Sequence, residues 1–171
     1  SEYNFENKNL NIGKIRKDSL NQLLYLFNKA QEQNLTLGLE PIGSWEILKK
    51  GHFNSISSCL NLVKKYEHKL IIDLYHSFAD TKLESFLKNS SKLGLLQFSN
   101  IKFDNNWRPT GRLILNKQNN VNNVDISKYL KTVLNRKDRI NVEFEIFQSD
   151  IKDTDPKLVI TNLKKEILEL L

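Results

Sequence analysis

The sequence predicts an α/β fold of parallel strands joined by helices, and two observations carry that prediction. Short apolar runs of strand length alternate with segments whose apolar residues recur at helical spacing, in the order α-β-α-β-α-β-α-β-α. Regular alternation of this kind implies parallel strands linked by right-handed crossovers. The second observation is parity within the strands. Each has an apolar face, fit to pack under helices, and an opposite face that ends at its C-terminal side on an oxygen-bearing side chain.

The elements follow in order. Residues 1–16 are polar and lack a clear period, a lead-in segment; 17–171 read as a single (β/α) domain, which a chain of 171 residues allows. Residues 18–34 carry Leu20, Leu23, Leu24, Phe27 and Ala30 at helical spacing, and 35–39 form a short strand closed by the turn signals Pro41 and Gly43. A helix over 53–66 places Ile56, Cys59, Leu60 and Val63 on one face. A strand at 70–74 and a helix at 80–92, through Leu83, Phe86 and Leu87, lead to a strand at 95–98. Residues 99–123 read as a long polar loop with a short strand at 113–115. Asp125 predicts an N-cap for a helix carrying Leu130, Val133 and Leu134. After a strand at 140–147, Asp155 and Pro156 open the last helix in the N-cap and N1 positions they favour; it runs on Leu158, Leu163, Ile167 and Leu170. Two architectures satisfy this order, an open doubly wound sheet and a (β/α) barrel. No GxGxxG or GxxxxGK loop is present, which counts against a nucleotide-binding open sheet.

Composition narrows the function classes. The apolar share of 39% is enough for a core, and 26 Lys+Arg against 20 Asp+Glu leave a net charge of +6. That surplus is dispersed over 14–17, Lys49-Lys50, Lys64-Lys65, Arg136-Lys137 and Lys164-Lys165, beside or within helical segments, as solvated helix faces are. Aromatic residues do not interleave with these pairs, so nucleic acid is not an expected partner. The single cysteine, Cys59, excludes an intrachain disulfide and reads as core. No apolar run reaches membrane-spanning length and no signal-peptide pattern opens the chain, so a soluble cytoplasmic protein without a membrane partner is expected. The chain opens on Ser and contains no Met, and sequence ahead of Ser1 is expected.

The strand ends hold the chemistry. Leu35, Leu37 and Leu39 oppose Thr36, Gly38 and Glu40; Leu70, Ile72 and Leu74 oppose Ile71 and Asp73. Leu95 stands with Gln97, and Ile140, Val142, Phe144 and Ile146 oppose Asn141, Glu143 and Glu145. In a (β/α) barrel the second face points inward, and the strand C-termini form the mouth where active sites lie. Glu40, Asp73, Gln97 and Glu145 would then be four oxygen donors converging there, a set suited to a hard divalent ion such as Mg²⁺ or Mn²⁺. Without a cation, the three carboxylates would repel one another and some would take up protons. Each residue alone has a plainer reading: a strand-end Glu is usually exposed or caps a helix, Glu143 and Glu145 can mark a solvated face, and His76 can be a hydrogen-bonded loop residue. Their recurrence at the same place in successive βα units is what carries the inference.

At these residues the chain resembles the xylose isomerase-like barrel superfamily of sugar isomerases and epimerases, from about residue 18 onward and over the second half of such a barrel. GLEPIG resembles the family's strand-five motif, with Glu40 as its metal-binding glutamate. DLYH, from Asp73 to His76, is similar to the D-x-Y-H segment of the hydroxypyruvate isomerase branch, where the Asp binds metal and the His lies beside the substrate. LLQFSN resembles the seventh-strand motif, in which that branch has Gln and the ketose epimerases have His. RPTGRL (108–113) resembles the P-G-x-G-E loop that bounds the substrate pocket, with Arg112 where the branch usually has Glu. VEFEIF resembles the final strand, with Glu145 as its glutamate.

The resemblance implies a parallel (β/α) barrel of TIM type, of which this chain supplies about the second half, four strands with flanking helices. It implies a metal-dependent isomerase or epimerase acting on a small sugar or hydroxy acid, a hydroxy-carbonyl substrate, by enediolate proton transfer. Mn²⁺ or Mg²⁺ would be held by Glu40, Asp73, Gln97 and Glu145; Glu40 and Glu145 would serve as acid and base; His76, Arg108 and Arg112 would meet the substrate. Half a barrel leaves open parallel edges and an uncovered face, so an N-terminal half-barrel or a homo-oligomer is an expected partner. Two other readings compete. One is a degenerate half-barrel acting as a binding or assembly module. The other is an apurinic endonuclease of the same superfamily, whose multi-zinc site needs more histidines than His52, His68 and His76.

Overall fold

Helix α1 (Ile12–Glu32) starts where the Asn11 side chain accepts the Lys14 N–H, ahead of residue 18, where its apolar period begins. The computed structural model describes residues 11–46, 53–115, 125–152 and 154–170; Lys49-Lys50, His52 and most of the lead-in segment lie outside them. From α1 the chain enters strand β1 (Gly38–Leu39), which is shorter than the apolar run at 35–39 predicts; Leu35 is exposed. Helix α2 (Ile56–Lys65) is capped by Ser55 and buries Ile56, Cys59 and Val63, the face its spacing predicts. Strand β2 (Lys69–Asp73) runs directly into a single turn, α3 (Leu74–Ser77), followed by α4 (Leu83–Asn89) and strand β3 (Leu93–Phe98).

The expected polar loop after β3 is instead a β-hairpin over much of its length. Strands β4 (Asn100–Phe103) and β5 (Pro109–Leu113) pair antiparallel, and the strand expected at 113–115 ends where that reading began it. The turn between them is closed by Asp104, whose side chain accepts the backbone N–H groups of Asn106 and Arg108. Residues 116–124 lie outside the described ones. Helix α5 (Ile126–Leu134) begins on the Asp125 cap, and strand β6 (Asn141–Phe144), a short α6 (Gln148–Ile151) and α7 (Pro156–Leu170) complete the chain.

The sheet order is β1-β2-β3-β6, every pair parallel, with the hairpin forming its own two-stranded sheet. The parity of the strands is realised. Leu70 and Ile72 of β2 and Leu96 and Phe98 of β3 are buried in one cluster with Val63, Leu83, Leu87, Leu130 and Val133 from the helices. Each such side chain contributes roughly 1.5–3 kcal/mol on leaving water. On the opposite face, Gly38 stands beside Ile71: a Cβ there would fall 2.6 Å from the isoleucine side chain, so the glycine is what lets Ile71 fill that inner layer. The strand C-termini therefore share one rim, with the polar residues of the inner face at its edge.

Asp80 ties this rim to the helices. One of its oxygens accepts the Ile56 N–H that opens α2 and the other accepts the Lys82 N–H, each at 2.8 Å. Asp80→Ala is expected to lower the unfolding free energy by about 1–2 kcal/mol, as losing a cap and a turn hydrogen bond does. Urea denaturation measures it, and Asp80→Asn, which keeps one acceptor oxygen, should lose about half as much.

Candidate active site at the strand ends

Asp73 is the last residue of β2 and the N-cap of α3: its Oδ1 accepts the Tyr75 N–H at 2.9 Å. This is why an apolar strand ends on a carboxylate followed three positions later by an imidazole. The cap turns the chain through one helical turn, and that turn brings His76 back over Asp73. The His76 Nε2 lies 4.0 Å from Asp73 Oδ2 and 3.9 Å from Glu40 Oε1, which comes from the end of β1. Glu40, Asp73 and His76 thus form a cluster whose candidate donor atoms all lie within 4.8 Å of one another. Asp73 is fully buried and His76 nearly so.

A cation already meets this cluster. The Arg112 guanidinium, on β5, reaches across from the hairpin and pairs through Nη2 with Asp73 Oδ2 and with Glu145 Oε2, the latter at 3.0 Å. It lies over the rings of both Tyr75 and Phe147, 4.4 and 4.6 Å from their centroids. Trp45 lies over His76 with ring centroids 6.3 Å apart and also meets Tyr75 and Phe78, forming an aromatic wall beside the cluster. Burial pushes the Asp73 carboxyl up to about 6, and the nearby Glu145 charge adds to this; Arg112 and the Tyr75 N–H oppose it. Burial, and secondarily the Glu46 charge, also raise the Tyr75 phenol above its ordinary value.

The predicted site residues divide. Glu40, Asp73 and His76 are brought together, and Glu145 is joined to them through Arg112. Gln97 lies next to Asp73 in the β2–β3 register, half-buried, but its amide donates to Glu143 at 3.4 Å on the neighbouring strand. Arg108 stands on the hairpin turn, its exposed side chain paired to Asp104 rather than to the cluster. Among the histidines, His68 is a core residue: it lies buried between the Phe27 carbonyl, 3.2 Å from Nε2, and the Leu37 N–H, which donates to Nδ1. It is therefore unavailable to a multi-zinc site. Sequence reasoning did not find the Tyr75 and Phe147 rings around Arg112, nor the Trp45 wall. The Asp-x-Tyr spacing at 73–75 is the one local signal for the first of them, since it matches an N-cap and the backbone N–H it accepts.

Two carboxylates and an imidazole within 4.8 Å of one another, Asp73 and His76 buried and Glu40 partly exposed, are a donor set that fits a divalent ion. A buried Asp73 whose proton affinity is raised by lack of solvation is the kind of group that such an ion would relieve.

No protein-family model matches the chain, and no curated protein matches its sequence. Its likeness is to solved structures. The apo form of the 3-keto-D-glucoside 4-epimerase YcjR from E. coli is 16% identical, with a TM-score of 0.63 over 98% of this chain and 59% of its own. A xylose isomerase domain-containing protein from Salmonella typhimurium LT2 is 15% identical, with a TM-score of 0.66 over 85% of this chain and 54% of its own. The IolI protein with a bound zinc atom is 16% identical, with a TM-score of 0.68 over 95% and 58%. The chain spans somewhat over half the length of these proteins. It has the fold of the C-terminal half of a xylose isomerase-like TIM barrel, four parallel strands with flanking helices. Among the described residues, no helix is long and apolar enough to cross a membrane.

Proposed function

We propose that this chain carries the metal-binding half of a sugar isomerase or epimerase that moves a proton between adjacent carbons of a small hydroxy-carbonyl substrate. The observation that carries the reading is the cluster of Glu40, Asp73 and His76 within 4.8 Å at the C-terminal rim of a parallel sheet, with Glu145 joined to it through Arg112. Structural neighbours that act on sugars support the substrate class, and the zinc in IolI supports the ion.

Glu40, Asp73 and His76 would hold the ion, with Gln97 and Glu145 the nearest further donors. Manganese is proposed ahead of magnesium, because imidazole is a poor partner for the latter. When bound, the ion supplies a positive charge against which a carbonyl and a hydroxyl oxygen can be polarised and an enediolate stabilised. The chain's own residues do the rest. Glu40 and Glu145 approach the cluster from opposite ends of the sheet, one from β1 and the other just beyond β6, so one carboxylate can take the proton on one face of the substrate and the other return it. Arg112 binds a substrate oxygen through the part of its guanidinium not committed to Asp73 and Glu145. Tyr75, Phe147 and Trp45 exclude water from one side. Arg108 belongs to the hairpin that bounds the pocket.

The partners are part of the same proposal. The described residues from α1 onward form one (β/α) unit of a barrel, and the outer edges of β1 and β6 have no strand partner among them. Beside β6 runs an apolar groove of about 270 Å³ lined by Phe98, Leu134, Val142, Phe144, Leu163 and Ile167 with Leu130. An N-terminal half-barrel, or a second copy of the chain, would cover both. A cytoplasmic location fits the single, buried cysteine.

Thermal unfolding with and without metal tests the site. Mn²⁺ well above its dissociation constant should raise the melting temperature by about 5–10 °C, and Asp73→Asn should abolish that increment whatever it does to the baseline. One observation favours a second reading, a binding or assembly module: the Arg112 guanidinium already occupies Asp73 and Glu145. An equal Mn²⁺ increment in wild type and Asp73→Asn, or none in either, would decide for it.

A further inference from the structure

The same Asp73 oxygen serves two masters. Oδ1 is taken by the Tyr75 N–H, and Oδ2, the oxygen that faces His76, is the one the Arg112 guanidinium binds. The two arrangements of charge, guanidinium on Asp73 or divalent ion on Asp73, therefore draw on one atom. They also bring a +1 and a +2 charge together in a site where water screens little.

The guanidinium is seated but displaceable. Its seat is built from two directions: the rings of Tyr75 and Phe147 pack against it, and the Arg112 backbone N–H donates to Asp150 Oδ1 at 3.4 Å, tying β5 to α6. A Cβ at Gly111 would lie 3.0 Å from the same Asp150 oxygen, so the two elements meet closely here. Yet the pair lacks the two-pronged geometry that makes arginine–carboxylate contacts strong. Nη2 alone serves both carboxylates, and the buried Nε has no hydrogen-bond partner among the described residues.

We infer that Arg112 is an internal competitor for the divalent ion. It bridges Asp73 and Glu145 in the metal-free protein, offsetting part of their charge, and has to release Asp73 Oδ2 for the ion to bind, so it sets the metal affinity of the site. The inference rests on the metal-dependent reading above. It assigns Arg112 a role that does not depend on contact with substrate.

Calorimetric titration of the full chain with MnCl₂ alone tests it, on wild type, Arg112→Gln, Arg112→Lys and Asp73→Asn. Arg112→Gln should bind Mn²⁺ tighter than wild type by roughly tenfold or more, because a like charge is removed and Asp73 is freed. Millimolar guanidinium chloride should weaken Mn²⁺ binding to Arg112→Gln by refilling the seat and leave wild type unchanged. Arg112→Lys should fall between the two, since an ammonium cannot span both carboxylates from the stacked position. Should Arg112→Gln lose its native circular-dichroism spectrum, the lysine variant carries the test, and affinity equal to wild type overturns the inference. Equal affinity in wild type and Arg112→Gln, both abolished by Asp73→Asn, overturns the inference and leaves the metal reading standing. No Mn²⁺ binding by either overturns both.

Discussion

Phe98→Ala is expected to lower the unfolding free energy by about 3–5 kcal/mol, the range for emptying an aromatic site in a packed core. Phe98 is 2% exposed and ends β3, with its ring against Phe144 at 5.6 Å and an interplanar angle of 61°. Its backbone carbonyl accepts the Glu145 N–H at 3.0 Å, so the residue that fills the core under the rim also positions Glu145. The apolar groove along β6 touches the same ring, and water or neighbouring side chains can enter from there. That places the loss toward the lower end of the range, near 3 kcal/mol. Phe98→Leu should cost less than half as much, because most of the volume is retained. Urea unfolding followed by far-UV circular dichroism measures both, and a cost below 1 kcal/mol for alanine would mean that Phe98 does not organise this layer.

Strand parity was readable because it depends on nothing outside the strand. Leu70, Ile72, Leu96 and Phe98 face the helices for the same reason that Ile71 and Gln97 do not: side chains alternate. Helix starts were readable where a short polar side chain caps them, as at Asp125. The hairpin was not readable. Its strands, NIKF and PTGRL, hold few apolar residues, and their pairing is settled by the Asp104 turn and by packing rather than by pattern. Strand β1 is shorter than the apolar alternation of Leu35 and Leu37 suggests, because the Leu37 carbonyl takes the first hydrogen bond from β2, at Lys69, while the Leu37 N–H turns to the His68 ring and Leu35 stays exposed. The single turns α3 and α6 are too short to show a period at all.

The site shows the same division. Glu40 and Asp73 could be placed at one rim because both end adjacent parallel strands, a relation that topology guarantees. His76 joins them through a local cap, visible in the spacing of Asp73 and Tyr75. Arg112 could be read as a pocket residue but not as the partner of Asp73. That contact spans 39 residues and depends on how the hairpin folds over the sheet, which no local rule encodes. Gln97 turns to Glu143 instead of the cluster because the adjacent strand offers an acceptor on the same face.

Asp73→Ala is expected to cost about 3–5 kcal/mol, and the reason lies in what it leaves behind. Arg112 is 4% exposed; without Asp73 its guanidinium keeps, among the described residues, Glu145 as its one carboxylate partner and sits desolvated against the Tyr75 and Phe147 rings. The cost is thus mainly that of an orphaned charge, which makes a specific demand on the double variant. Asp73→Ala with Arg112→Met should recover most of the loss, giving a coupling energy of about 1–3 kcal/mol in a double-mutant cycle, whereas additive losses would show that the pair contributes nothing as a pair. The pH dependence provides an independent check. Because burial raises the folded Asp73 pKa from 3.8 to about 6, the metal-free native state holds a proton more tightly than the unfolded chain does across that interval. Its contribution to stability is complete below about 4 and is lost as pH rises to about 6, by up to about 3 kcal/mol. Asp73→Asn, which cannot titrate, should flatten that decline in the urea midpoint. With Mn²⁺ present the slope should reverse, since the ion binds the carboxylate and not the acid, and stability should then rise with pH through the same window.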